Sequence, residues 1–180
     1  MKTLTLLRHA KSSWDDPVTR DFDRPLNAKG RRAAAIVGNY MRDQKLRFDQ
    51  ILASPAVRVA ETLDAVAVGY QAKLSADWDR RIYLASSVTL IDVLRGADPA
   101  AQHVLMAGHN PGLEDLIFDL VLDDGRSPLR ELVEEKFPTT SLATLTLDIS
   151  AWTDISDGCA TLDNFIRPRD LDATLGPDAD

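Results

Sequence analysis

Three short apolar runs, TLTLL (3–7), FDQILA (48–53) and HVLMA (103–107), each stop abruptly, and each is followed by a segment with helical periodicity. Runs this short and this apolar read as strands buried on both faces, as in a parallel sheet covered by helices. The segments between them suit that role. Asn27 is placed to cap a helix, and Ala33, Ile36, Val37 and Tyr40 give it one apolar face through about Gln44. Ser54 and Pro55 read as cap and first residue of a second helix over about 55–68. A third helix is expected over 87–95, and Asn110-Pro111 open a fourth carrying Leu113, Leu116, Ile117 and Leu120 on one side. A short strand is expected at 72–75. Beyond the polar loop DDGRSP, SLATLTLDI alternates as a half-solvated strand does, and CATLDNFI reads as a last strand paired with it. Strands alternating with helices make this an α/β chain, a three-layer α/β/α sandwich around a mostly parallel sheet. One domain is expected over residues 1–170. Residues 171–180, LDATLGPDAD, lack core-forming side chains and read as a disordered tail.

Charge and cysteine narrow the setting. Lysine and arginine number 21 against 28 acidic residues, a net charge of −7, which argues against nucleic-acid or anionic-membrane partners. A single cysteine, Cys159, cannot form an internal bridge, so a reducing compartment and a buried structural thiol are expected. The first apolar run breaks at Arg8, too soon for a signal peptide, and nothing reaches the length of a membrane span. A cytoplasmic protein is the expectation.

In an open α/β sheet, ligands gather beyond the carboxyl ends of the strands. The three clearest strands here end at Arg8-His9, at Ser54-Pro55 and at Gly108-His109-Asn110. Arg58 falls in the first turn of the second helix, where free N–H groups already favour an anion. Two arginines and two histidines thus converge on one edge, a setting for a tetrahedral oxyanion such as phosphate. Ser12, Ser13 and Asp15 follow in the next loop, candidates either to hold its shape or to contact phosphate. Asp16, Asp21 and Asp23 alternate with Arg20 and Arg24 and read as an ion-paired loop scaffold. Trp14 is expected under the site or at its mouth, and His103, at the opposite end of its strand, as an exposed structural residue.

LLRHAKSSW, DFDRPLNAKGRRAA, ILASPAVRVAET and VLMAGHNPGLEDL resemble, in order and spacing, the histidine phosphatase superfamily with its phosphoglycerate mutase-like fold. The resemblance covers most of residues 1–170, including KFPTTSLATL and FIRPRDL, and points to the SixA-type phosphohistidine phosphatase branch. It implies that His9 is the nucleophile and passes through a phosphohistidine intermediate. It implies also that Arg8, Arg58 and His109 surround and bind the phosphoryl group. No metal or other cofactor is implied. The substrate implied is a phosphorylated protein, or else a small phosphorylated metabolite.

Two departures bear on substrate. Ala10 stands where the commonest family form has glycine, a change typical of the SixA-like branch. Larger members carry a glutamate that protonates an alcohol leaving group, whereas here the region reads DWDRRIYLAS, leaving Asp79 as the candidate donor. Expelling an alkoxide needs a general acid, and imidazole leaves a phosphoramidate more readily, so a missing acid favours phosphohistidine. Two other functions fit less well. No HxxxH or HxD spacing adds a third metal ligand to His9 and His109. A non-catalytic phosphate-binding module would not need both histidines and both arginines.

Overall fold

The computed structural model describes residues 1–17 and 19–176. Its sheet has six strands, β1 (Lys2–Arg8), β2 (Gln50–Ala53), β3 (Asp77–Trp78), β4 (His103–Gly108), β5 (Leu142–Leu147) and β6 (Ala160–Ile166). They lie in the order β3-β2-β4-β1-β5-β6. The β1–β4, β2–β4 and β2–β3 pairs are parallel, while β5 runs antiparallel to both its neighbours. Among the described residues there are six α-helices: α1 (Ala28–Asp43), α2 (Val57–Tyr70), α3 (Ser87–Arg95), α4 (Gly112–Leu120) and α5 (Pro128–Glu135) between strands, and α6 (Pro168–Leu171) after β6.

The buried central strands explain the continuous apolar runs. Leu4, Leu6 and Leu7 of β1 are 0% exposed, and burying each contributes roughly 2 kcal/mol. Period-two alternation divides them between two cores. Leu4, Leu6, Val104 and Met106 pack with α3 and α4, whereas Leu7, Leu105 and Ala107 pack with α1 and α2. Helices therefore cover both faces, which is the three-layer α/β/α arrangement expected.

Five details differ from expectation. No strand forms at 72–75, and the edge strand is instead the exposed pair Asp77–Trp78. Helix α2 begins at Val57, two residues beyond Pro55, and the Ser54 hydroxyl accepts from the Ala56 N–H at 3.3 Å. Helix α5 was not anticipated behind the polar loop. Ser127 caps it, Pro128 opens it, and Leu129, Leu132 and Val133 supply its inward face. The expected tail is ordered through Gly176, because Leu171 packs under α1 and Leu175 is 6% exposed. Two leucines four apart suffice to dock a short segment. Residues 177–180 lie outside the described residues. Cys159 is half-buried rather than buried. Among the described residues no helix is long and apolar enough to cross a membrane.

Candidate active site

The parallel β1–β4 ladder decides the centre of the site. Arg8 pairs with Gly108, and the His9 N–H donates to the Gly108 carbonyl at 3.0 Å, so the next residues on the two strands stand side by side. The His9 and His109 rings lie 5.3 Å apart between centroids. Arg58 arrives from the first turn of α2 and is 2% exposed. These four side chains line an open cleft of about 430 Å³ together with Lys11, Ser12, Trp14, Asp21, Arg24, Leu84, Asn110 and Thr139. All four residues that the sequence brought to this edge meet there.

His9 is held in one protonation state and one tautomer. Its Nδ1 lies 2.7 Å from the Ala10 carbonyl oxygen, which can only accept, so Nδ1 carries the proton and Nε2 keeps its lone pair. Burial lowers the His9 pKa to about 3; the Ala10 bond opposes this, and Arg8, Arg58 and Arg24 reinforce it. The Ala10 strut is itself fixed, because its N–H donates to Thr62 Oγ1 at 2.8 Å, and that hydroxyl donates to the Arg58 carbonyl at 2.6 Å. The following loop is pressed onto α1. A Cβ on Gly30 would stand 2.2 Å from the Lys11 carbonyl oxygen, closer than any side chain permits. His109 is lowered to about 3 by burial first and then by His9 and Arg58. Its Nε2 lies 2.8 Å from Ser54 Oγ, and its Nδ1 is buried without a protein partner.

A residue read as loop scaffold orients Arg58. The Arg58 guanidinium donates to the Asp21 carbonyl at 2.7 Å and to its carboxylate at 3.0 Å, while its Nε is buried without a protein partner. Burial raises the Asp21 pKa, but bonds from Tyr83, Arg58 and Arg24 overcome this and bring it down to about 2. Tyr83 was missed in the sequence. Its hydroxyl donates to Asp21 and its ring stacks on His109 at 5.4 Å. The sequence offers no signal for it, since the contact joins residues 62 and 26 positions apart.

The segment before β5 completes the frame. The Phe137 carbonyl accepts from Arg8 Nη1 at 2.8 Å and from Asn110 Nδ2 at 3.0 Å. The Thr140 N–H reaches the carbonyls of Arg8 and His9, with its backbone at φ 64. Leu84, at φ 49, is also left-handed. Such a conformation costs a branched side chain about 1–2 kcal/mol, and strain of this kind concentrates at functional sites.

The remaining expectations divide. Ser12 lines the cleft and accepts from Arg24, whereas Asp15 is exposed and lies outside the lining. Asp79 is not in the cleft. Arg81 holds its carboxylate at 2.7 Å and keeps its pKa below the usual value, so it stays ionised and caps the turn Arg80–Ile82. Trp14 stands at the mouth, 73% exposed, with the Arg24 guanidinium 3.5 Å over its ring. His103 is half-buried, bonded to Thr5 Oγ1 at 2.8 Å and edge-on to Phe48. No group of three or more His, Cys, Asp and Glu suited to a metal occurs among the described residues.

A model of the histidine phosphatase superfamily (branch 1) matches residues 4–81. An uncharacterised protein of Mycobacterium tuberculosis is 32% identical over 164 residues, covering 91% of this chain and 100% of that protein. A solved structure from Agrobacterium tumefaciens, assigned as a phosphohistidine phosphatase SixA, is 30% identical with a TM-score of 0.77, over 93% of this chain and 98% of that one. This chain belongs to the histidine phosphatase superfamily. Phosphohistidine phosphatase SixA of Escherichia coli is 26% identical over 147 residues, spanning 81% of this chain and 85% of its own. The likeness is thus to the SixA-type members, and it places this chain among the phosphatases.

Proposed function

We propose that this chain is a metal-independent phosphatase that uses His9 as nucleophile and removes phosphate from phosphohistidine on another protein. The observation that carries the reading is the state of His9. Its Nδ1–H is directed at the Ala10 carbonyl, and burial keeps the ring neutral, so Nε2 holds a lone pair inside a cationic cleft.

In the first step Nε2 of His9 attacks phosphorus in line, forming the P–Nε2 bond as the P–N bond of the substrate breaks. The departing imidazole takes the bonding electron pair, and its ring protonation makes it a good leaving group. Water then attacks phosphorus, the P–Nε2 bond breaks, and inorganic phosphate leaves. Arg8 and Arg58 neutralise the equatorial oxygens throughout. The Ser54 hydroxyl already accepts from Ala56, so its O–H is disposed to donate to His109 Nε2. This leaves the proton of His109 on Nδ1, where it can donate to a phosphoryl oxygen.

Leaving-group chemistry supports the substrate class. Among the described residues lining the cleft, Asp21 is the one carboxylate, and it is ionised down to about pH 2. No side chain with an ordinary general-acid pKa stands there to protonate an alkoxide. The SixA relatives, described as phosphohistidine phosphatases, support the same class. The test compares kcat/KM for a phosphohistidyl peptide, an aryl phosphate and 3-phosphoglycerate, before and after exhaustive EDTA treatment. The first two should exceed the alkyl ester by about 10²–10⁴-fold, the usual contribution of a general acid, and chelation should leave every rate unchanged. Equal turnover of 3-phosphoglycerate, or loss on chelation restored by a divalent ion, would overturn the reading.

A further inference from the structure

The mouth of the cleft is chemically unlike its floor. Leu84 is 59% exposed and Trp14 73% exposed, and both line the cleft from separate loops. Leu84 has a left-handed backbone at φ 49, a conformation that glycine or asparagine adopts with little strain and leucine does not. Neither core packing nor backbone preference calls for a leucine at this position.

The loop holds the strain from both sides. Asp79 caps the turn before it through the Arg81 N–H at 2.9 Å, and Tyr83 is tied to Asp21. After it, the Ala85 carbonyl oxygen packs so close to Gly112 that a Cβ there would stand 2.2 Å away, and Ser86 caps α3. What this frame delivers is an isobutyl group at the edge of the phosphoryl site. Trp14 is propped in a comparable way. Its ring lies against the buried Arg24 guanidinium, which Asp21 fixes at 3.1 Å, and much of the ring remains open to solvent.

We propose that Leu84 and Trp14 form an apolar rim that selects a phosphorylated residue carried on a polypeptide with an apolar side chain beside it. The proposal rests on the phosphatase reading of the floor and names the substrate feature that the floor cannot read. Arg8, Arg58 and His109 meet the phosphoryl oxygens whatever carries them. Exposed apolar surface is desolvated favourably only against another apolar group, and large exposed apolar side chains bordering a polar site mark a contact surface. A small, highly charged metabolite offers the rim nothing.

The test uses two phosphohistidyl peptides that differ only in having Leu or Gly beside the phosphohistidine, with phosphoramidate as a small N–P control. Wild type should prefer the Leu peptide. Leu84→Gly should lower kcat/KM on the Leu peptide by about tenfold, chiefly through KM, the scale on which an apolar subsite discriminates. The Gly peptide and phosphoramidate should be little changed. Leu84→Asn, which also tolerates the backbone, should reproduce the loss, and neither variant should melt below wild type. Equal losses on all three substrates, equal use of both peptides by wild type, or a change of oligomeric state without a change of selectivity overturns the rim. If wild type cleaves phosphoramidate but neither peptide, the protein-substrate reading fails and the rim falls with it.

Discussion

The floor of the cleft and its covering loops are built by different physics. His9 and His109 stand just beyond the ends of two strands that share a ladder, and Arg58 stands in the first turn of α2, at 9%, 4% and 2% exposure. Asp21 opens a short 3-10 turn between β1 and α1, and Tyr83, Trp14 and Leu84 sit on loops, all partly or largely exposed. In the floor, desolvation chooses the protonation state and holds both imidazoles neutral. In the loops, hydrogen bonds overrule desolvation, as at Asp21. Changes to the floor should therefore alter chemistry, and changes to the loops should alter aim and selection.

The largest effect expected is at His9, the nucleophile we propose. His9→Ala should lower turnover by about 10⁴-fold or more, as removal of a nucleophile does elsewhere, with a melting temperature close to wild type. Near-wild-type turnover would break the comparison at its base. Arg58→Ala should follow with a loss of about 10²–10³-fold in kcat/KM, the scale of one preorganised oxyanion donor.

Tyr83→Phe sharpens the boundary between the regions. It keeps the ring that stacks on His109 and removes the hydroxyl that holds Asp21. A loss of about three- to tenfold is expected, the scale of one ordinary net hydrogen bond. A loss as large as that of Arg58→Ala would mean that the loop takes part in the chemistry.

The last effect expected is on stability against pH and leaves turnover aside. His9 and His109 stay neutral in the fold down to about pH 3, whereas an unfolded histidine gains its proton near 6.5. Between those values the unfolded chain binds more protons, so stability is complete above pH 6.5 and declines as pH falls toward 3. At pH 5 the loss is at most about 2 kcal/mol per histidine, and His9→Gln should remove its share. Urea titrations at pH 7 and 5 measure this, and a slope equal to that of the His9→Gln variant would show that His9 is charged inside the fold. Asp21 acts in a separate window. Its depressed pKa contributes stability that is complete above the ordinary carboxylate value and is lost as pH falls through about 2.

How much of this was legible depended on whether a residue acts through its own strand or through a partner far along the chain. Arg8, His9, Arg58 and His109 could be placed because apolar runs mark strands, and strand ends in such a sheet share one edge. The ends of α3 were exact for a related reason, since Ser86 caps it and Arg95 precedes the glycine that ends it. Helix α5 was obscured by the charges around its short inward stripe, although Ser127-Pro128 marked its start. Asp79 was proposed as a proton donor because a carboxylate stood in the right stretch, but spacing cannot reveal that Arg81, two residues on, captures it.

The amino-acid order by itself determined the layering of helices on a mostly parallel sheet and the four groups at its carboxyl edge. Local periodicity and strand ends encode both, and they need no knowledge of which loops meet. Only the tertiary structure decided that Asp21 aims Arg58, that Tyr83 bridges Asp21 and His109, and that Thr62 fixes Ala10 against His9. It also decided that Leu171 and Leu175 dock the tail. These contacts are side-chain bonds and packing between segments distant in sequence. Their geometry exists once the chain has closed, because until then each partner is indistinguishable from any other polar or apolar residue in a loop.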